Sequence, residues 1–180
     1  YTFEYESDGL LTAKVEPEGN RFEHVFDAAG RLTDATDNEG GHWQFSRVMN
    51  ESGEILTEVT TGEGNLTSYL DSAGSSGVYT SIITDPTGAE TLFLRSADGL
   101  SAGKSLPCGM ELDLQYDLDP MYKFKYQKRA SESTPSGLKR TTDRERTYQD
   151  TDGDSIPDLI AETMTVNGNP TIIEDDQAFL

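Results

Sequence analysis

Residues 111–126 alternate in polarity. Leu112, Leu114, Tyr116 and Leu118 fall between Glu111, Asp113, Gln115 and Asp117, and Tyr122, Phe124 and Tyr126 fall between Lys123, Lys125 and Gln127. A period of two puts apolar side chains on one face of an extended strand and polar ones on the other. The pattern therefore predicts a hairpin turning at Asp119-Pro120-Met121, with the acids of its first strand opposite the lysines of its second. Shorter segments read the same way. His42-Trp43-Gln44-Phe45-Ser46 places Trp43 and Phe45 on one face, and Thr80–Thr84 and Thr91–Leu94 are β-branched and aromatic. Nothing in residues 1–100 keeps a helical period over several turns, so the prediction there is short strands throughout.

Those strands are punctuated by glycine at a regular interval. Gly9, Gly30, Gly53, Gly74 and Gly99 are 21, 23, 21 and 25 residues apart, and Gly19, Gly40, Gly64 and Gly88 fall between them at 21, 24 and 24. Two interleaved series at one period predict one hairpin unit repeated, with a turn at each end of each strand pair. A lone hairpin is marginal in water, so the units are expected to pair edge to edge in one sheet. Phe26, Trp43, Phe45, Tyr69 and Phe93 are the expected packing anchors, and Gly9, Gly30, Gly53 and Gly74 the turns that favour a residue without a side chain.

Phe26-Asp27-Ala28-Ala29-Gly30-Arg31-Leu32-Thr33 resembles the signature of the RHS or YD-repeat family. The linking phrases Asp37-Asn38-Glu39-Gly40 and Asp85-Pro86-Thr87-Gly88 resemble that family's inter-repeat turn. Other copies depart from the pattern, with Tyr5-Glu6, Met49-Asn50 and Leu70-Asp71 in place of Tyr-Asp. The C-terminal stretch, through Asp119-Pro120-Met121-Tyr122, Thr134–Leu138 and Thr163–Gly168, resembles a non-repeat insert of some members. The resemblance implies an all-β fold, in which tandem β-hairpins (YD repeats) form a continuous curved or spiralling antiparallel sheet. It implies a non-catalytic segment of a large shell that encloses a C-terminal toxin or mediates cell-surface interaction. Partners would then be the rest of the same chain, the enclosed toxin or a cell-surface partner, and the location extracellular or at the cell surface.

Along the chain this gives hairpin repeats over 1–100, a loop over 101–110, and a β-hairpin insert over 111–180. Within the insert, Ser131–Gly137 is a turn. Lys139–Gln149 is polar at nearly every position and reads as an exposed strand, at a sheet edge, with Ala161–Val166 as its partner. Asn167-Gly168 is a two-residue hairpin turn leading back through Thr171-Ile172-Ile173, and the end from Glu174 is expected to fray.

Composition narrows the partners. The formal net charge is −19, from 33 acidic and 14 basic residues, which argues against nucleic acid. The charge is uneven: residues 1–122 hold 22 acids and 6 bases, residues 123–146 hold 3 acids and 8 bases, and residues 147–180 hold 8 acids and no base. The basic strip reads as a solvated strand face, the alternative being a strip seated intramolecularly against the acidic parts on either side. No apolar run approaches membrane-spanning length, so membrane insertion is not expected. The chain opens inside a repeat unit at Tyr1-Thr2-Phe3, and a segment of a longer protein is expected. Cys108 stands alone and is expected to be a buried or half-buried thiol.

One constellation carries chemistry. Asp150, Asp152 and Asp154 stand at alternate positions of an acidic loop spanning 150–158, followed by Ile156 and Asp158. Alternating oxygens can curl around one hard cation, with Ile156 giving its backbone carbonyl and Asp158 binding directly or through water. The expected cofactor is a structural calcium ion. The pattern departs from the EF-hand loop, with Ser155 where glycine is expected and Ala161 where a bidentate acid is expected, Glu162 coming one residue late. The other reading is an acidic turn.

Catalysis is not expected. His24 and His42 are the two histidines, and both read as sheet-surface residues. No nucleophile elbow, P-loop, zinc spacing or dinucleotide fingerprint appears. The alternative to a structural role is a secreted, calcium-stabilised β module that binds carbohydrate or protein through Trp43, Tyr122 and Tyr126.

Overall fold

The computed structural model describes residues 1–153 and 156–176. The protein is all-β. Its first strands are β1 (Thr2–Tyr5), β2 (Leu11–Val15), β3 (Arg21–Phe26), β4 (Leu32–Thr36) and β5 (His42–Met49). Next come β6 (Ile55–Thr61), β7 (Leu66–Ala73), β8 (Tyr79–Thr84), β9 (Glu90–Arg95) and β10 (Ser101–Ser105). The last are β11 (Glu111–Leu118), β12 (Lys125–Ser133), β13 (Lys139–Gln149), β14 (Leu159–Val166) and β15 (Asn169–Asp176). Strand order in the sheet is chain order, and every register is antiparallel. The tandem-hairpin reading is therefore the fold. Two compact units divide the chain: Tyr1–Ala73 with Ser81–Glu90, and Gly74–Thr80 with Thr91–Leu180.

The turns explain the repeat phrase. In Asp27-Ala28-Ala29-Gly30 the Asp27 carbonyl accepts the Gly30 N–H at 2.9 Å, and the Asp27 N–H donates to the Arg31 carbonyl at 2.8 Å. Gly30 sits at φ +75°, the left-handed conformation that closes a three-residue hairpin loop. The side chain at the first position completes the turn. Asp27 Oδ1 accepts the N–H groups of Ala29 (2.8 Å) and Arg31 (2.9 Å), and Asp37, Asn50 and Asp85 repeat part or all of that arrangement. Asp-x-x-Gly is thus a self-capped turn, in which a carboxylate takes the place of water on two backbone donors. The two glycine series are the two ends of the strands: a chain-order meander sends alternate turns to opposite sides. Neighbouring turns on one side meet, as where the Asn38 amide donates to Asn20 at 2.9 Å. At one turn the bend falls on a different glycine from the one the spacing predicts. Gly74 opens its turn, donating to the Val78 carbonyl, while Gly77 takes the positive φ.

Register sorts the first unit into two faces. The partners Lys14↔Phe22, His24↔Ala35, Ala35↔Trp43, Phe45↔Val59 and Thr57↔Tyr69 place Phe22, Trp43, Phe45 and Tyr69 on one face. The other face carries Arg21 paired with Glu4 and Glu23 at 2.7 Å, and His42 against Asp34 at 3.1 Å. Neither face is deeply covered. Among the described residues the buried ones are Ala13, Asp119, Ser131 and Pro157. Trp43, expected as an anchor, is exposed, whereas Phe26, Phe45, Tyr69 and Phe93 are half-buried. A single layer of sheet has only the neighbouring strand's side chains to cover each residue, and cross-strand pairs of this kind contribute about 0.2–1 kcal/mol each.

The second unit corrects several expectations. Ser101–Ser105, read as a loop, is β10, paired on both sides with β9 and β11. Cys108 is exposed, because the turn closed by Gly109 presents it outward. The strand expected to hold Tyr122 and Phe124 begins only at Lys125. Tyr122, Lys123 and Phe124 belong to the turn, with Lys123 at φ +59° and both aromatic rings exposed. A bulge between Gln115 and Tyr116 shifts the hairpin register, so Asp117 pairs with Lys128 at 2.7 Å and Lys125 reaches the Gly99 carbonyl instead. The polar strand β13 is interior, paired with β12 and with β14 over the expected partner residues. Two arginines of the basic strip pair across strands, Arg129 of β12 with Asp143 at 2.5 Å and Arg146 of β13 with Glu162 at 2.8 Å. The Asn167-Gly168 turn forms with both residues at positive φ, and β15 continues through Asp176 where fraying was expected.

Candidate functional site

The acidic loop leaves β13 at Gln149 and enters β14 at Leu159. Its neck is closed by the Asp158 N–H donating to the Gln149 carbonyl at 2.8 Å, beside buried Pro157. Gly153 at φ +80° makes the bend and donates its N–H to Asp150 Oδ1 at 2.7 Å. Asp158 Oδ2 accepts both the N–H (2.6 Å) and the hydroxyl of Thr151. The Thr151 hydroxyl, then its N–H, hold the Asp158 carboxyl below its ordinary value against partial burial.

Asp150, Asp152 and Asp158 each bring a carboxylate oxygen within 4.8 Å of the others, close enough to share a cation. Like charges so placed repel until a counter-ion or proton joins them. Asp154 and Ser155 lie outside the described residues. Ile156 exposes 64% of its surface, and its expected contribution is its backbone carbonyl alone.

A second cluster escaped the sequence reading. Asp119, fully buried, opens the turn after β11. Its Oδ1 accepts the N–H groups of Met121 (3.0 Å) and Tyr122 (2.7 Å), its Oδ2 accepts the Tyr148 hydroxyl, and Arg146 Nη1 stands 3.6 Å away. Burial opposes the Asp119 charge, but these donors outweigh it and hold the carboxyl below its ordinary value. The same burial and the neighbouring carboxylate push the Tyr148 hydroxyl up to about 12. The Arg146 guanidinium lies over the rings of Phe124 (5.0 Å) and Tyr126 (5.7 Å), and Tyr122 meets Tyr148 edge-on at 5.7 Å. Tyr148 is the one aromatic residue in an otherwise polar strand, which is the signal the sequence offered.

The histidines do not converge. His24 shares a face with Trp43, while His42 precedes Trp43 in β5 and so points to the other side. A joint acid–base site would need both on one face.

A single antiparallel meander with self-capped Asp-x-x-Gly turns defines a hairpin-repeat scaffold. Residues 2–46, from β1 into β5, match the RHS Repeat family profile. This stretch of the chain is an RHS-type structural repeat segment. No curated protein matches the chain.

Proposed function

We propose that this chain is a non-catalytic wall segment of a large RHS/YD-repeat shell, which encloses a C-terminal toxin or meets a cell-surface partner outside the cell. The carrying observation is that the register gathers Phe22, Trp43, Phe45 and Tyr69 on one face of the first unit, beside Lys14, His24 and Arg47, and sets the Arg21–Glu4–Glu23 and His42–Asp34 pairs on the other, beside Val48 and Leu56. A wall between an enclosed space and water needs two such faces, and an uncovered aromatic face favours a partner. Photo-crosslinkers at Trp43 and Phe45, in the full-length protein that carries this segment, should capture another part of the polypeptide or its partner. Crosslinkers at Glu23 and Gln44 should not. Equal capture from both faces, or none from the aromatic one, contradicts the proposal.

The acidic loop is assigned a structural calcium ion, held by Asp150, Asp152, Asp158 and the Ile156 carbonyl, with Asp154 as the fifth expected ligand. The supporting observation is the convergence of three carboxylates. The ion would fix the β13–β14 connection, since oxygen-only ligands suit a hard cation. Calcium at millimolar concentration should raise the melting temperature, and chelator should reverse the rise. An unchanged melting temperature, or the same rise in Asp150→Ala/Asp152→Ala, removes the ion.

A further inference from the structure

The register between β12 and β13 stops early. It runs from Ser133↔Lys139 to Arg129↔Asp143, yet β12 extends back to Lys125, still paired with β11, and β13 extends on to Gln149, still paired with β14. Among the described residues, Lys125–Lys128 and Arg144–Tyr148 therefore face each other without a backbone register. A cleft opens between them, lined by Leu118, Tyr126, Lys128, Arg144 and Arg146. Two strand edges inside a sheet leave backbone donors and acceptors that need another partner.

Side chains span the gap. Tyr148 on β13 donates its hydroxyl to Asp119 on the β11–β12 turn, and Arg146 lies over Phe124 and Tyr126 on the β12 side. The buried carboxylate ties this bridge to the turn through the N–H groups of Met121 and Tyr122. We infer that the Asp119–Tyr148 bond is a latch across a split in the sheet, and that residues 119–128 and 144–149 form a local unit able to open without unfolding the rest. The burial of an acid at a turn, otherwise costly, is explained by that role: it supplies a charged acceptor for a strand that β12 does not reach. Sub-global opening of contiguous elements that lack a backbone partner on one side is the general behaviour of such regions.

Hydrogen exchange on the full chain tests this. Tyr148→Phe keeps the ring and removes only the hydroxyl. It should accelerate exchange across 119–128 and 144–149 by about ten- to a hundredfold, the ratio expected for losing a hydrogen bond to a charged group. Exchange in β2 and β4 should stay unchanged. Asp119→Asn should accelerate the same two segments. Unchanged exchange in Tyr148→Phe overturns the latch, as does acceleration spread equally over β2 and β4. A Tyr148→Phe chain that cannot fold also overturns it, because the latch closes a local split and not the fold. Should Asp119→Asn fail to fold, wild-type exchange decides: the two segments must open together, and independent rates contradict the inference.

Discussion

The repeat strands β1–β7 and the insert strands β11–β15 solve one problem differently. Both are single-layer sheet with almost no buried apolar residue, so neither relies on a core. The repeats place their specificity in the turns: a carboxylate or amide at the first position caps two N–H groups, and a glycine at the fourth accepts the left-handed bend. The insert places it between strands, where Asp119, Tyr148, Arg146 and Glu162 hold a turn to a strand 29 residues away in sequence. Local capping tolerates degenerate copies, because each turn stands by itself. A shared network does not, because each member leaves another unsatisfied.

The largest expected effect follows from that contrast. Asp119→Ala strips the acceptor from Tyr148, Met121 and Tyr122 and leaves Arg146 short of a counter-charge. Breaking a buried, hydrogen-bonded charge in this way costs about 3 kcal/mol, read as a lower denaturant midpoint for the insert strands. A comparable loss on removing any one repeat-turn carboxylate would erase the distinction.

Glycine substitutions sharpen it at the next level. Gly53 at φ +86° has nothing within 4 Å of where a Cβ would stand, whereas at Gly109 (φ +78°) that atom would lie 2.8 Å from Pro135 Cγ. Gly53→Ala should cost about 1 kcal/mol from backbone strain alone. Gly109→Ala should cost more, because the Pro135 ring of the next turn on that side must also move. Equal costs at the two sites would mean that turns do not stack in the second unit.

The smallest effect is pH-dependent. The Thr87 hydroxyl, then the Ala89 N–H, hold Asp85 below its ordinary value, and the Arg31 N–H does the same for Asp27. A carboxyl so lowered stabilises the fold above its unfolded value, and that contribution disappears as pH falls through the folded value. Asp27→Ala and Asp85→Ala should therefore lower the melting temperature slightly at neutral pH and leave it nearly unchanged below the carboxylate range. A deficit that persists in acid would assign the effect to something other than capping.

The repeat strands were legible because their punctuation is local: Asp-x-x-Gly states a turn within four residues. Gly77 was missed because Gly74-Ser75-Ser76-Gly77 offers two glycines, and only the hydrogen-bond pattern says which one bends. β10 was illegible because Ser-Ala-Gly-Lys-Ser has no strand preference of its own; β9 and β11 impose the conformation from either side. The Tyr122–Tyr126 alternation misled because the turn runs through Phe124, with Lys123 at positive φ, and the strand begins only at Lys125. The acidic loop was visible in its spacing. The Asp119 cluster was not, because its chemistry is a contact between distant segments.

The central claim is the chain-order register of the repeats. Cross-strand nuclear Overhauser contacts at β6 test it most directly, since that strand is paired on both sides. Val59 should show them to Phe45 and to Thr67, and Thr57 to Arg47 and to Tyr69. Contacts displaced by one residue, which would move Phe45 and Tyr69 to the charged face, or helical contacts anywhere within β5–β7, would contradict the account.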